Sequence, residues 1–198
     1  LSEAAQWRMR TRRVESMQVR MRVEQLSEQT ARYQVESLQD PLTGLPNRRH
    51  LQRRLAELVE LASSQGRRLV MGVVDIDRFK HINDTFTHLV GDSVLSTVAT
   101  LLRRHLRQQD FAARYAGDEF VFALVDVTGY EAELVAERIR RSIEAHDWRA
   151  MRPGLEVTVS IGLATWEPPM TAASLFSNAD AQLFAAKRAG RNSVRRGR

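Results

Sequence analysis

The chain's 198 residues suffice for one domain and an accessory element, and at 43% hydrophobic and 27% charged it reads as a soluble globular protein. No apolar run approaches bilayer-spanning length and no secretory signal is present. The absence of Cys excludes a disulfide framework or thiolate metal site and suits the cytoplasm. The net charge of +6 permits a polyanionic partner, but the arginines are dispersed over helices and the C-terminus (Arg195, Arg196, Arg198) without interleaved aromatics. No nucleic-acid partner is therefore expected, and a local share of the charge is expected to bind phosphate.

The first residue is Leu1 rather than Met, so an upstream membrane or sensor segment is expected. Residues 2–38 contain no Gly or Pro and favour a long helix. Val14, Met17 and Met21 form one apolar stripe. Val19, Val23, Leu26, Thr30 and Tyr33 form another, offset from the first. Two overlapping stripes predict a coiled coil that changes register along its length. A helix docked on its own domain is the alternative, but the polar content leaves too narrow an apolar face. Residues 1–39 are therefore read as a signalling and dimerisation helix, and 40–198 as the domain it serves.

Asp40-Pro41 stops that helix. A loop with two Pro and one Gly follows, and Asn47 caps a helix carrying Leu51, Leu55, Leu58, Val59 and Ala62. Residues 68–76 (RLVMGVVDI) read as a buried central strand ending in Asp75-Ile76-Asp77. Gly91-Asp92 opens a helix with Val94, Leu95, Val98, Leu101, Leu102 and Leu106 on one face. Residues 111–115 and 120–125 are apolar runs around Ala116-Gly117-Asp118-Glu119, a hairpin whose tip holds two adjacent acids. A helix over 129–146 uses Leu134, Val135, Ile139 and Ile143. A strand over 156–165, a helix over 172–189 and a short strand over 192–195 close the chain.

The order from residue 68 to 165 is β-α-β-β-α-β, the split ferredoxin-like or palm motif. The fold class is therefore α+β, an antiparallel central sheet flanked by helices and preceded by the long N-terminal helix. In this topology the first and third strands are antiparallel neighbours. That places Asp75 beside Asp118 and Glu119, a three-carboxylate site at one sheet edge. An ordinary Gly-Asp turn would explain the hairpin tip by itself but not its pairing with Asp75.

Hard divalent ions take carboxylate and carbonyl oxygens together with substrate phosphates. Asp75 and Asp118 suit such an ion, and a site of this type on this fold points to nucleotidyl transfer. Lys80, Lys187 and Arg191 can neutralise a triphosphate. Asn83 and Asp92 supply an amide and a carboxylate that match a guanine edge, and the carboxylate penalises adenine.

The segments DPLTGLPNRR (40–49), DIDRFKHINDTFTHLVGD (75–92), RQQDFAARYAGDEF (107–120), VSIGLA (159–164) and NADAQLFAAKRAGRN (178–192) together resemble a GGDEF-domain diguanylate cyclase. The resemblance covers residues from about 40 to 195. It implies condensation of two GTP into cyclic di-GMP with release of two pyrophosphates, by a homodimer with one GTP per subunit. It implies Mg²⁺, with Mn²⁺ as the alternative ion, on Asp75, Asp118 and the carbonyl of Ile76. It implies guanine contacts from Asn83 and Asp92 with His88 beside them, and phosphate contacts from Lys80, Lys187 and Arg191. Phe79 and Gly117 complete the implied substrate site. Asp118 and Glu119 are the implied catalytic acids, and which of them, if either, takes the 3′-OH proton stays open. Arg107 and Asp110, with Arg138, match an inhibitory product site; a helix C-terminal cation is the plain alternative for Arg107.

Two positions depart from the family pattern. Ala116 stands where Gly is usual and fits only if its φ is negative or the nucleotide leaves room. Thr87 stands where Gly precedes the His, and a side chain there alters how His88 and Asp92 face the base. An active cyclase is expected. The alternative is a degenerate domain that binds GTP or cyclic di-GMP without turnover, which the intact acids oppose. A scaffold module and an adenylate cyclase are opposed by the polar constellation and by Asp92.

Overall fold

In the computed structural model, residues 38–197 are described, and the anticipated coiled coil lies outside them. The centre of the sheet is β1 (Leu69–Ile76), all eight residues of which are buried. It lies between β3 (Glu119–Val125) and β4 (Val159–Thr165), antiparallel to both. The full order is β2-β3-β1-β4-β5, with β2 (Phe111–Ala116) antiparallel to β3 and β5 (Val194–Arg196) parallel to β4. This is the split ferredoxin-like arrangement with one added edge strand.

Successive side chains of a strand point to opposite faces, and β1 sorts accordingly. Val70, Val74 and Ile76 pack with α2 (Phe79–Phe86), α3 (His88–Arg104) and α4 (Gly129–Glu144). Leu69, Met71 and Val73 pack with α1 (Arg48–Gln65) and α6 (Ala172–Arg188). The same alternation turns Asp75 to the α6 side. Gly162 on β4 lets α6 approach closely, because a Cβ there would stand 2.1 Å from the Leu183 nitrogen and 2.2 Å from the Ala179 oxygen.

Local chemistry sets the helix ends. Asn47 accepts from the His50 N–H to cap α1, and Gly66 closes it in the left-handed region. Thr128 and Glu131 form a capping box on α4.

Several sequence boundaries need correction. The helix expected to open at Gly91 begins at His88, and the Gly91 N–H donates to the Thr87 carbonyl. A separate helix, α2, precedes it; its charged surface hides the periodicity. The expected strand over 156–165 is shorter. Thr158 gives its carbonyl to the Asp77 N–H, and ladder pairing begins only at Val159. The helix over 129–146 ends at Glu144 and leaves Leu134 exposed; its buried face is Ala132, Ala136, Ile139, Arg140 and Ile143. A short helical turn, α5 (Trp148–Met151), was not foreseen.

Candidate active site

Asp75 sits near the end of β1, opposite Glu119 on β3 and Ser160 on β4. Its side chain is buried, and Oδ2 lies 2.7 Å from Nζ of Lys187 in the last turn of α6. Burial pushes the Asp75 carboxyl up to about 6; Lys187 offsets part of this, and the neighbouring charges of Asp118 and Glu119 add to it. Glu119 is also raised, by burial first and then by Asp118 and Asp180 against the pull of Lys187. Asp118 is drawn to the strand end by its carbonyl, which accepts the Ile76 N–H at 3.3 Å.

Three carboxylates therefore share one edge, and their mutual repulsion is what a cation would relieve. Among the described residues, no group of three or more acidic, His or Cys side chains converges into a ready metal cage. The expected three-carboxylate site is thus open rather than closed. This suits a hard ion that takes one or two carboxylates and completes its shell with ligand oxygens and water.

The hairpin tip is braced from below. Arg114 donates to the Gly117 carbonyl through Nε and Nη2 at 2.9 and 2.8 Å, and through Nη1 to the Asp40 carboxylate at 3.1 and 3.2 Å. Against its burial, bonds from Thr43 and Arg114 hold the Asp40 carboxyl below its usual range. Gly117 takes the positive φ of the turn, 45°, while Ala116 remains in the strand without one. The extra methyl at position 116 is therefore unstrained.

On the opposite face of the sheet from α6, α2 and α3 pack against each other. Asn83 Oδ1 is buried there without a partner. It occupies space that any side chain at position 91 would need, since a Cβ on Gly91 would stand 1.9 Å from it. His88 opens α3 and Asp92 follows its first turn, both exposed; Phe79 is half-buried and Lys80 is exposed. The Asn83 oxygen is thus a buried acceptor with an unmet hydrogen bond, the kind of group that a ligand's donor satisfies.

Thr87 joins the two helices with φ 91° and ψ 157°. That region is essentially confined to glycine, and a β-branched residue in it is strained by about 1–3 kcal/mol. Thr87→Gly should therefore stabilise the fold by about 1–2 kcal/mol, after part of the gain is lost to the entropy of glycine. Urea unfolding measures this; an unchanged or lower midpoint would show that the loop is relaxed.

Away from the carboxylate edge, a cavity of about 390 Å³ gathers Arg107, Asp110 and Arg138 together with His105, Glu131 and Leu134. Asp110 is fixed by the N–H groups of Arg107 (2.9 Å) and Val125 (3.3 Å). Helix α3 ends at Arg104, so Arg107 lies beyond it, and its reading as a helix C-terminal cation is set aside. Burial, and then the charge of Arg138, lower the His105 pKa. No spacing rule in the sequence could have joined His105 or Glu131 to this cluster.

The family model for the GGDEF domain of diguanylate cyclases matches residues 37–193. Diguanylate cyclase DgcP of Pseudomonas aeruginosa is 44% identical over 158 residues, which are 79% of this chain and 23% of that protein. The response regulator PleD of Caulobacter vibrioides is 40% identical over 158 residues, 78% of this chain and 35% of its own length. The chain thus spans about a quarter to about a third of the length of these relatives. Among solved structures, the coiled coil and GGDEF domain of DgcB from Caulobacter crescentus in complex with c-di-GMP has a TM-score of 0.87. It is 31% identical, with 96% of this chain and 99% of that one covered.

Proposed function

Because the chain belongs to the GGDEF-domain diguanylate cyclase family, we propose that it condenses two GTP into cyclic di-GMP and two pyrophosphates. The observation that supports this most is the pairing of Asp75 with Glu119 across β1 and β3, with Lys187 at the carboxylate. In this reading Asp75, Asp118 and the Ile76 carbonyl hold a divalent cation, Mg²⁺ or Mn²⁺. When bound, the ion would neutralise triphosphate charge and polarise the phosphorus under attack.

Asn83 and Asp92 hold the guanine edge, with Phe79 and His88 beside it. Lys80, Lys187 and Arg191 bind the triphosphate. Lys187 supplies the positive charge beside Asp75 in the structure, and it exchanges that contact for phosphate oxygens when nucleotide enters. Gly117 lets the hairpin tip pass close to the substrate. Glu119, its pKa raised, is the acid best placed to take the 3′-OH proton, with Asp118 bound to the ion.

One such site holds one GTP, so the reaction needs a second copy opposite it. Residues 1–39 are proposed as the coiled-coil helix that brings two copies together, and 40–198 as the cyclase domain. An upstream sensor would act through that helix.

Incubation with Mg²⁺ and GTP, and separately with ATP, followed by chromatography of the products, tests the reading. Cyclic di-GMP from GTP alone is expected. No cyclic dinucleotide at high protein concentration would overturn it in favour of a binding module without turnover, a reading that the strain at Thr87, next to His88, favours.

The cavity around Arg107, Asp110 and Arg138 is proposed as the inhibitory product site. Arg107→Ala should leave the initial rate within about twofold and weaken inhibition by added cyclic di-GMP roughly tenfold or more, the effect of losing one charge-assisted contact. An unchanged inhibition curve would assign the cavity no part in regulation.

A further inference from the structure

Behind the proposed phosphate site lies a polar network that the mechanism above does not use. Asp77, two residues beyond Asp75, is buried, and its carboxylate accepts from Ser160 Oγ (2.6 Å), Thr158 Oγ1 (2.8 Å) and the Asn192 N–H (2.9 Å). The side chain of Asn192 continues outward. Its Oδ1 accepts from Arg140 Nη1 at 2.6 Å, and its Nδ2 donates to Glu144 at 2.6 Å. Arg140 is itself buried in the face of α4 and is clamped by Glu137 and Glu144. One asparagine thus ties the loop after β1 to α4 across the turn that follows α6.

That turn is conformationally costly. Gly190, Arg191 and Asn192 have φ of 117°, 67° and 43°, three positive values in succession. Asn tolerates the left-handed region; Arg does so only when its surroundings hold it there. The bonds of Asn192 supply the hold, and Arg191 lines a cavity of about 440 Å³ with Arg78, His81 and Asp77. A merely stapling role, pinning the end of α6 to α4, would not require the fixed residue to adjoin a phosphate-binding arginine in a strained conformation.

We propose that Asn192, held by Arg140, is a positioning residue for the nucleotide's phosphates, fixing the turn that aims Arg191 and anchoring the Asp77 end of the β1–α2 loop. The inference rests on the reading of Arg191 as a phosphate contact. It makes a selective demand: the network acts on phosphates and not on the base.

Two variants cut the bridge at different places. Asn192→Gly keeps the N–H to Asp77 and the left-handed geometry but removes the side chain. Arg140→Met removes the far end without touching the nucleotide site, so either variant suffices if the other fails to fold. Isothermal titration with Mg²⁺ and 3′-deoxy-GTP, which lacks the attacking hydroxyl and cannot turn over, and with GMP should show triphosphate affinity lowered about 5- to 10-fold and GMP affinity changed less than about twofold, a fraction of one charge-assisted contact. In an Arg191→Ala background, either change should shift triphosphate affinity less than about twofold, because the partner it positions is gone. Equal losses for the triphosphate and GMP, losses that multiply with Arg191→Ala, or no loss at all would each overturn the proposal. A wild-type chain that binds GMP and the triphosphate equally would instead remove the reading of Arg191 on which it rests.

Discussion

Asp75→Asn should abolish turnover and at the same time make the protein more stable at neutral pH. The loss follows from the proposed cation site: removing its most buried carboxylate should lower the rate by at least about 10³-fold, the equivalent of several kcal/mol. The gain follows from the rise of the Asp75 carboxyl to about 6 from the ordinary aspartate value of 3.8. A carboxyl raised in the folded state binds its proton more tightly there than in the unfolded chain. Folding is therefore unpenalised below the unfolded pKa, and stability falls as pH rises between about 4 and about 6. Above that window the full penalty of holding a buried anion remains, and asparagine removes it.

The size of the gain is set by the shift and reduced by solvent near the half-exposed Lys187, to about 1–2 kcal/mol. For a chain of this length that is roughly 2–8 °C in melting temperature. Thermal unfolding without metal at pH 8 and at pH 4 reads it directly: a higher midpoint for Asp75→Asn at pH 8 and no gain at pH 4. A variant less stable than wild type at pH 8 would mean that the Lys187 ion pair outweighs burial. Full activity in the variant would remove Asp75 from the cation site. Stability surrendered at a functional carboxylate is common where charge is held in readiness for a ligand.

The parts of this site that could be read in the sequence are those written as contiguous pattern. The Val-rich run of β1 and the apolar-turn-acid-apolar hairpin each announce themselves, and the βαββαβ order then makes β1 and β3 neighbours. Asp75 and Glu119, 44 positions apart, are placed together by that rule alone. What stayed hidden depends on three-dimensional closure. The bond from Arg140 to Asn192 spans 52 positions and joins a helix face to a turn, and no periodicity links them. In the helix over 129–146, counting apolar residues put Leu134 on the core face. The small Ala132 and Ala136 and the aliphatic part of Arg140 are what the core accepts there. Thr87 could be flagged only as unusual; its strain became visible when its backbone angles were known.

Gly91 shows the same divide and leads to the second large effect. In the sequence it reads as the opening of a helix, the common use of glycine next to an aspartate. In the structure it is a buried helical residue three positions inside α3, where glycine is ordinarily worse than alanine by about 1 kcal/mol. The reason for it is the neighbour: a Cβ would stand 1.9 Å from Asn83 Oδ1, 3.1 Å from its Cγ and 3.2 Å from the ring of Phe79. These are side-chain atoms, so the backbone need not move. The Asn83 amide must swing out, and the proposed base site loses the acceptor that is buried there without a partner.

Gly91→Ala should therefore leave the fold intact, its better helix propensity offsetting part of the crowding, while GTP affinity falls about 10- to 100-fold. Discrimination against ATP should fall with it, because a site built to pair a polar edge rejects the wrong base by leaving its own polar groups unmet. Competition binding with GTP and ATP, together with a melting curve, separates the outcomes. Weakened GTP binding with an unchanged melt places Asn83 on the base. Unchanged GTP binding would mean that the amide relaxes within the site without leaving it, and that guanine is chosen by Asp92 alone.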